Sequence, residues 1–86
     1  MYVVVVYDME AERTQKMLKF LRRYLTHAQN SVFEGDVTEG DLQEIRSFVD
    51  ETLNKGESVI IYELSSENLV SRTVYGDDPA DEKRFL

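Results

Sequence analysis

A single carboxylate occupies the most chemically suggestive position in this sequence. Asp8 directly follows the apolar run Tyr2–Tyr7 and comes shortly before a predicted helix. Backbone N–H groups gather at such a junction and favour phosphate. One carboxylate is a poor site for Mg²⁺, which commonly uses one or two carboxylates together with waters and substrate phosphate. Two Asp8 side chains that face each other across a dimer axis would meet this requirement, whereas the alternative is that Asp8 only caps the helix.

The second candidate is a group of cations on the first predicted helix. Residues 13–27 contain five Lys or Arg and no acid, so this segment carries +5 and the rest of the chain −12, for a net charge of −7. An acidic protein as a whole repels nucleic acid, but a local basic surface can bind phosphates. The predicted phosphate-contacting residues are Arg13, Lys16, Lys19 and Arg23. The alternative is an ordinary solvated helix face.

Three other features carry weaker signals. Tyr7 and Phe33 are candidate accessory residues, although core packing is favoured for Tyr7 because it alternates away from Asp8 along the strand. His27 ends the predicted helix, where it suits either the helix dipole or, less readily, acid–base chemistry. The acidic cluster Asp77, Asp78, Asp81 and Glu82 suggests a solvated tail rather than a metal site, with Phe85–Leu86 as an apolar tip for docking.

Length and composition exclude several classes of protein. The chain has 86 residues, no cysteine and one histidine, which excludes disulfides, Cys-based zinc sites and a two-His zinc site within one chain. A domain this small buries only about 60% of its unfolded surface, so oligomerisation is expected. No transmembrane segment or signal peptide is apparent, and the absence of cysteine fits a cytoplasmic location.

The apolar periodicity predicts alternating strands and helices. Tyr2–Tyr7 is typical of a central strand buried on both faces, and residues 11–26 have helical spacing. Residues 28–37 form either two short strands or one bent strand, with a polar break at Gln29–Ser31. Thr38 caps a second helix that ends near Gly56, with Asp41 as a weaker version of the capping-box Glu. Strands are then predicted over 58–64 and, at an edge, 70–75.

This order predicts an α+β domain with the ferredoxin-like βαββαβ plan and an extra short C-terminal strand. Both helices would cover one face of an antiparallel sheet. The other face would be left bare, and a second copy of the chain is the simplest way to cover it, which predicts a homodimer. The domain is expected to span residues 1–76, followed by a polar, acidic tail over 77–86 that is mobile or docks a partner.

Several of these residues together resemble a known family. The first strand ends in Tyr7–Asp8, Arg13 stands at the start of the first helix, and the segment Gln29–Gly35 reads QNSVFEG. The strand Val59–Tyr62 and a last short strand ending at Gly76 complete the pattern. The chain resembles the small CRISPR-associated endoribonucleases, which are the non-integrase member of the two-protein core that acquires new spacers in prokaryotic antiviral defence.

The resemblance implies a fold, a partner set and site residues. It implies a ferredoxin-like homodimer in which Asp8, paired across the axis, is the catalytic, metal-binding residue with Mg²⁺, or Mn²⁺ in its place. It implies metal-dependent cleavage of single-stranded RNA, double-stranded DNA or both. The alternative implied function is a non-catalytic adaptor that bridges CRISPR integrase dimers and supports DNA. Arg13 would contact the nucleic-acid backbone, and Phe33 would either pack in the core or stack on a base.

Overall fold

The fold is a five-stranded antiparallel sheet with two helices, as the sequence predicts. The structure is a computed structural model that describes residues 1–66 and 69–77. Its elements are β1 (Tyr2–Asp8), a 3₁₀ turn (Ala11–Arg13), α1 (Thr14–Leu21), β2 (Thr26–Gln29), β3 (Val32–Asp36), α2 (Glu39–Thr52), β4 (Ser58–Ser66) and β5 (Leu69–Gly76). The strand order is β2-β3-β1-β4-β5, so the valine-rich β1 is central and β5 lies at an edge, as predicted.

Strand alternation divides β1 between two environments. Val3, Val5 and Tyr7 are buried in the core, where they pack with Met17, Leu21, Ile45 and Val49 of the helices. Val4 and Val6 point to the opposite face and are only half-buried. Because successive side chains of a strand point to opposite faces, the helices cover one face of the sheet. We call the opposite face the open face.

The first helix is shorter than the sequence predicts. The apolar spacing indicates a helix over residues 11–26, but α1 ends at Leu21, and the backbone N–H groups of Arg23 and Tyr24 bond three residues back in a tightening turn. Thr26 and His27 then pair with Glu34 and Phe33 of β3. The prediction was wrong because apolar spacing through Leu25 continues after the chain leaves the helix, and sheet pairing takes over the backbone bonds.

The segment after α1 forms two strands, which was the first of the two predicted alternatives. β2 and β3 form a hairpin through Asn30 and Ser31, with Asn30 at a positive φ of 30°. Asn is one of the residues that tolerates this left-handed region. β2 begins at Thr26 instead of Ala28 because its first residues pair with β3.

The predicted start of α2 is confirmed, but its end is not. The Thr38 side chain accepts a hydrogen bond from the Asp41 N–H at 3.1 Å, and the Asp41 carboxylate accepts one from the Thr38 N–H at 3.2 Å. This is a complete capping box. The helix ends at Thr52, and Gly56 lies farther on, in the turn before β4, with a φ of 88°.

The last two strands form a ladder longer than expected. β4 runs from Ser58 to Ser66 and β5 from Leu69 to Gly76. Ser58, the first residue of β4, pairs with Gly76, the last residue of β5. Apart from Asp77, the predicted tail over 77–86 lies outside the described residues. None of the helices in the described ranges is long and apolar enough to cross a membrane.

Candidate metal and nucleic-acid site

Asp8 is the last residue of β1 and its side chain is exposed. It follows the buried Tyr7, so strand alternation directs it to the open face, and its backbone pairs with that of Ser58 at the start of β4. Within residues 1–66 and 69–77, its carboxylate has no hydrogen bond or ion pair. Because neither the 3₁₀ turn nor α1 has a side-chain cap, the alternative role of Asp8 as a helix cap is wrong.

A buried carboxylate beside Asp8 organises this end of the sheet. Glu57, which immediately precedes β4, is only 3% exposed. Its Oε2 accepts hydrogen bonds from Arg13 Nε at 2.9 Å and from the Glu10 N–H at 3.3 Å. Its Oε1 accepts bonds from the Asn54 N–H at 2.9 Å and from Arg13 Nη2 at 3.1 Å. Each oxygen of Glu57 therefore receives two donors.

The Arg13 guanidinium is engaged inside the fold. Besides Glu57, its Nη2 donates to the carbonyl oxygen of Thr52 in the last turn of α2. The last carbonyls of a helix have no partner within the helix, so Arg13 satisfies one of them. The side chain is 26% exposed. A contact between Arg13 and phosphate therefore stays a prediction, and the structure gives this residue an internal role that the sequence did not indicate.

The ion pair explains the titration behaviour of Glu57. The pKa of Glu57 is lowered from 4.5 to about 2, chiefly by the Arg13 hydrogen bond and also by the Asn54 and Glu10 N–H groups, against the opposing effect of burial. The same pair raises the pKa of Arg13. Glu57 is thus ionised across the physiological range, which is what a carboxylate that accepts four donors requires.

A shallow depression adjoins Asp8, bounded on one side by Met9 and Glu10 and on the other by Lys55, Gly56 and Glu57. Lys55 is exposed and lines this depression together with Asp8. Neither Lys55 nor Glu57 was predicted from the sequence as a site residue. A Lys-Gly pair between α2 and β4 was the only local sign, and it resembles an ordinary turn.

The other predicted cations lie on a different layer of the molecule. Lys16 and Lys19 are exposed on α1, on the side away from the buried Met17, Phe20 and Leu21. Arg23 is exposed too, but it lies beyond the end of α1, and its guanidinium lies over the Phe20 ring at 5.7 Å from the ring centroid. Because α1 packs on the side of the sheet opposite to the open face, whereas Asp8 points to the open face, these residues and Asp8 do not converge on one site.

The two aromatic candidates are core residues. Tyr7 is 4% exposed and Phe33 is completely buried, with their ring centroids 6.2 Å apart. His27 stacks on Phe33 at 4.6 Å, and its Nε2 bonds the Asn30 carbonyl in the β2–β3 turn. Burial raises the pKa of the Tyr7 hydroxyl. With no exposed ring surface, Phe33 takes the core alternative and has no face on which a base could stack.

The donor set of one chain fits a divalent ion held by few protein ligands. In the described ranges, no group of three or more His, Asp or Glu side chains is arranged around a common point. Asp8 is nevertheless an exposed carboxylate without an internal partner, and Mg²⁺ is commonly bound through one or two carboxylates plus waters and phosphate oxygens. A second Asp8 on the open face of another copy would bring the number of carboxylates to two.

The open face carries many apolar side chains, with the charged Glu34 and Arg72 at the register of Val4 and Tyr62. Its half-buried or exposed apolar and aromatic side chains come from the four strands other than β2 and include Tyr2, Val4, Val6, Val32, Tyr62, Leu64, Val70 and Val74. Tyr2, Leu64 and Val70 are the large hydrophobic residues exposed in the described part of the chain. An apolar surface of this kind is typical of an interaction site, and Asp8 lies at its end.

Sequence comparison connects this chain to one family. The family described as CRISPR associated protein Cas2 matches residues 1–72. A protein of Archaeoglobus fulgidus named CRISPR-associated endoribonuclease Cas2 2 is 43% identical over 76 residues, which cover 87% of this chain and 83% of that protein. A Haloferax volcanii protein named CRISPR-associated endoribonuclease Cas2 is 35% identical over 85 residues, or 99% of each chain.

A solved structure agrees with the sequence comparison. A crystal structure titled cas2 superposes with a TM-score of 0.74 at 38% identity, covering 93% of this chain and 91% of that one. The antiparallel sheet and both helices of this chain match the fold of that structure, so the predicted ferredoxin-like architecture is confirmed.

Proposed function

This chain belongs to the CRISPR-associated Cas2 family, and we propose that it is a metal-dependent endoribonuclease whose catalytic residue is Asp8. The observation that carries the proposal is the state of the Asp8 carboxylate: exposed, at the end of the central strand, and without an internal partner in the described residues. Glu57, by contrast, uses both of its carboxylate oxygens to accept hydrogen bonds from within the fold.

Asp8 is the residue that would hold Mg²⁺ or Mn²⁺. A bound ion of this kind supplies charge neutralisation at a phosphodiester and lowers the pKa of a water molecule. Asp8 itself provides a negatively charged ligand whose backbone is held by pairing with Ser58 of β4. Lys55, across the depression, is placed to attract the phosphate backbone to Asp8.

We propose that two copies associate through their open faces. Tyr2, Leu64 and Val70 supply exposed apolar surface on that face, and Asp8 lies at its end, so face-to-face pairing would bury apolar area and could bring two Asp8 carboxylates together. A sheet pairing through one face also suits a chain too small to bury a large core alone. Light scattering at several concentrations measures the stoichiometry directly.

The test of the catalytic proposal compares two substitutions of the same type. Asp8→Asn removes the charge at the proposed site, and Asp50→Asn removes the charge of an exposed carboxylate on α2. We expect Asp8→Asn to lose RNA cleavage by a factor of about 100 or more and Asp50→Asn to cleave like the unmodified protein. The assay uses labelled single-stranded RNA with Mg²⁺, with Mn²⁺ and with EDTA. Equal cleavage by the two variants would contradict the assignment of Asp8.

A second candidate function is that of an adaptor that holds duplex DNA and bridges CRISPR integrase dimers without cleaving. The exposed lysines of α1 favour it, because they lie on the covered-face side, apart from Asp8, and form a basic surface on an acidic protein. Binding by this surface needs no catalytic carboxylate. The two functions are compatible in one dimer, since they use different layers of the fold.

The adaptor function is tested by salt dependence. Lys16→Gln with Lys19→Gln removes two cations from α1, and Gln43→Glu with Ser47→Glu makes the same change in net charge on α2. If both lysines contact duplex phosphates, the first variant should reduce the slope of log K against log salt by about 2, and the second should not. Arg23 is left intact because its guanidinium packs on Phe20. An unchanged slope in the lysine variant would exclude this surface as the DNA site.

A further inference from the structure

We propose that Glu57 is a positioning residue that holds the two loop segments on either side of the Asp8 depression in one fixed arrangement. This inference rests on the proposed function, because it concerns the surroundings of Asp8. Glu57 is buried and all four of its hydrogen bonds run to groups of the protein, so its role is to hold those groups in place. It deepens the assignment of Asp8 by naming what keeps its site in shape.

The bonds of Glu57 reach both sides of the depression. The Glu10 N–H belongs to the segment that leaves β1, two residues after Asp8. The Asn54 N–H belongs to the segment that enters β4 and immediately precedes Lys55. These two segments bound the depression, and they are joined to each other through one carboxylate. Without that carboxylate, two backbone N–H groups from distant parts of the chain would lose a common acceptor.

Arg13 extends the same connection to a third segment. It binds Glu57 through two nitrogens and the α2 carbonyl of Thr52 through one of them. The end of α2, the end of β1 and the start of β4 are thus tied together at one point. Asp8 lies in β1 directly before this point, and its backbone pairs with Ser58, the residue after Glu57. A displacement of Glu57 is therefore passed to the strand ends that carry Asp8.

An amide cannot replace this carboxylate. Oε1 and Oε2 each accept two N–H donors, so in Glu57→Gln the new NH₂ group faces two donors whichever way the amide is turned. An amide nitrogen is itself a donor, and two of the four bonds are lost. Glu57→Asp keeps both acceptor oxygens and the charge but has a shorter reach. Glu57→Gln is therefore the disruptive variant and Glu57→Asp the conservative one.

A matched control lies in β4 itself. Glu63 forms an ion pair with Arg46 of α2, and Glu63 lies five residues into the strand, away from the Asp8 depression. Glu63→Gln makes the same chemical change in another arginine–glutamate pair. It controls for loss of an ion pair to β4 and for loss of one negative charge.

The experiment measures amide hydrogen exchange and Mn²⁺ binding in the full-length protein. Exchange is followed by NMR at Glu10 and Asn54, and Mn²⁺ binding is followed by paramagnetic broadening of the amide signals around Asp8. In Glu57→Gln we expect protection at both amides to fall by about tenfold or more and the apparent Kd for Mn²⁺ to rise severalfold. Glu57→Asp should recover part of both effects, and Glu63→Gln should show neither. Thermal unfolding shows that each variant is folded at the temperature used.

Each result has a defined meaning. Unchanged protection at Glu10 and Asn54 in Glu57→Gln would overturn the proposal. A fall in protection and in Tm with unchanged Mn²⁺ affinity would also overturn it, because Glu57 would then be structural without positioning the site. If the unmodified protein shows no saturable broadening near Asp8, the proposed function fails instead. The role of Glu57 in holding the two segments is then decided by exchange alone, with loss at both amides supporting it and loss at one or neither contradicting it.

Discussion

Two arginine–glutamate pairs join the helical layer to β4 or to the segment before it, and they differ in the burial of the carboxylate and in the number of donors that it accepts. Arg13–Glu57 lies beside Asp8, with a carboxylate that is 3% exposed and accepts four hydrogen bonds. Arg46–Glu63 lies farther along β4, with a carboxylate that is 16% exposed and an arginine that is 30% exposed. Arg46 also donates to the Tyr75 hydroxyl at 3.3 Å. The same two residue types thus form a buried pair that joins several segments and, farther along β4, a more exposed pair.

The difference follows from the backbone around each pair. Glu63 belongs to a regular part of β4, where it pairs with Val3 of β1 and with Ser71 of β5. The ladders already provide the backbone groups there with partners. Glu57 stands where three elements end or begin, so N–H groups of Glu10 and Asn54 and the Thr52 carbonyl need partners outside regular structure. An ion pair contributes most where it also satisfies such groups.

Removal of the arginine from each pair should separate them most clearly. Arg13→Met leaves a buried carboxylate without its main partner, and we expect a loss of about 3 kcal/mol in the free energy of unfolding. Arg46→Met keeps an apolar stem at this position of α2 and loses a partly exposed pair, which should cost about 1 kcal/mol or less. Urea unfolding of both variants measures the difference. Equal losses would show that the burial of Glu57 gives its pair no advantage.

Two glycines beside Glu57 test how closely the backbone is packed at this end of the sheet. Gly76 at the end of β5 has a φ of +83°, and a Cβ there would lie 2.0 Å from the carbonyl oxygen of Glu57. Gly56 has a φ of +88°, but nothing lies within 4 Å of such a Cβ. Both Gly→Ala changes carry the strain of a left-handed residue, and only Gly76→Ala adds a backbone clash. We therefore expect Gly76→Ala to cost about 2 kcal/mol more than Gly56→Ala. Similar Tm values for the two variants would mean that β5 moves away from Glu57 without cost.

The acid dependence of stability should show the smallest difference. The pKa of Glu57 is lowered from 4.5 to about 2 in the folded state, chiefly by Arg13. A depressed carboxyl pKa contributes stability that is present above the unfolded value and is lost as the pH falls from 4.5 towards about 2. In Arg13→Met the main cause of the shift is absent, so its stability should fall less steeply over this interval than that of the unmodified protein. Parallel curves would indicate that Arg13 does not set the titration of Glu57.

Much of the architecture could be predicted because it depends on local patterns. The valine run places β1 at the centre of the sheet, and Thr38 with Asp41 marks the start of α2. The helix that follows Asp8 was placed correctly but extended too far. Its end depends on the pairing of Thr26 and His27 with β3, and apolar spacing carries no information about that competition.

The candidate site was predictable only in part. Asp8 was found because a carboxylate that ends an apolar strand is visible in the sequence, and the structure leaves it exposed. Arg13 was selected as a phosphate contact, which stays a prediction, whereas its ion pair with Glu57, 44 residues later in the chain, was not predicted. Lys16, Lys19 and Arg23 were grouped correctly as exposed cations, but they do not lie with Asp8.

The sequence by itself determined which strand is central, where α2 begins and which carboxylate ends β1. These properties follow from side-chain hydrophobicity and from hydrogen bonds between near neighbours in the chain. Only the tertiary structure decided that Glu57 is buried, that Arg13 points inward to it and that Lys55 lies near Asp8. The partner of a charged side chain depends on which loops meet at the end of the sheet. The loops that come together there are set by the strand order and by the length of α2. No single segment of the sequence encodes the strand order or that length.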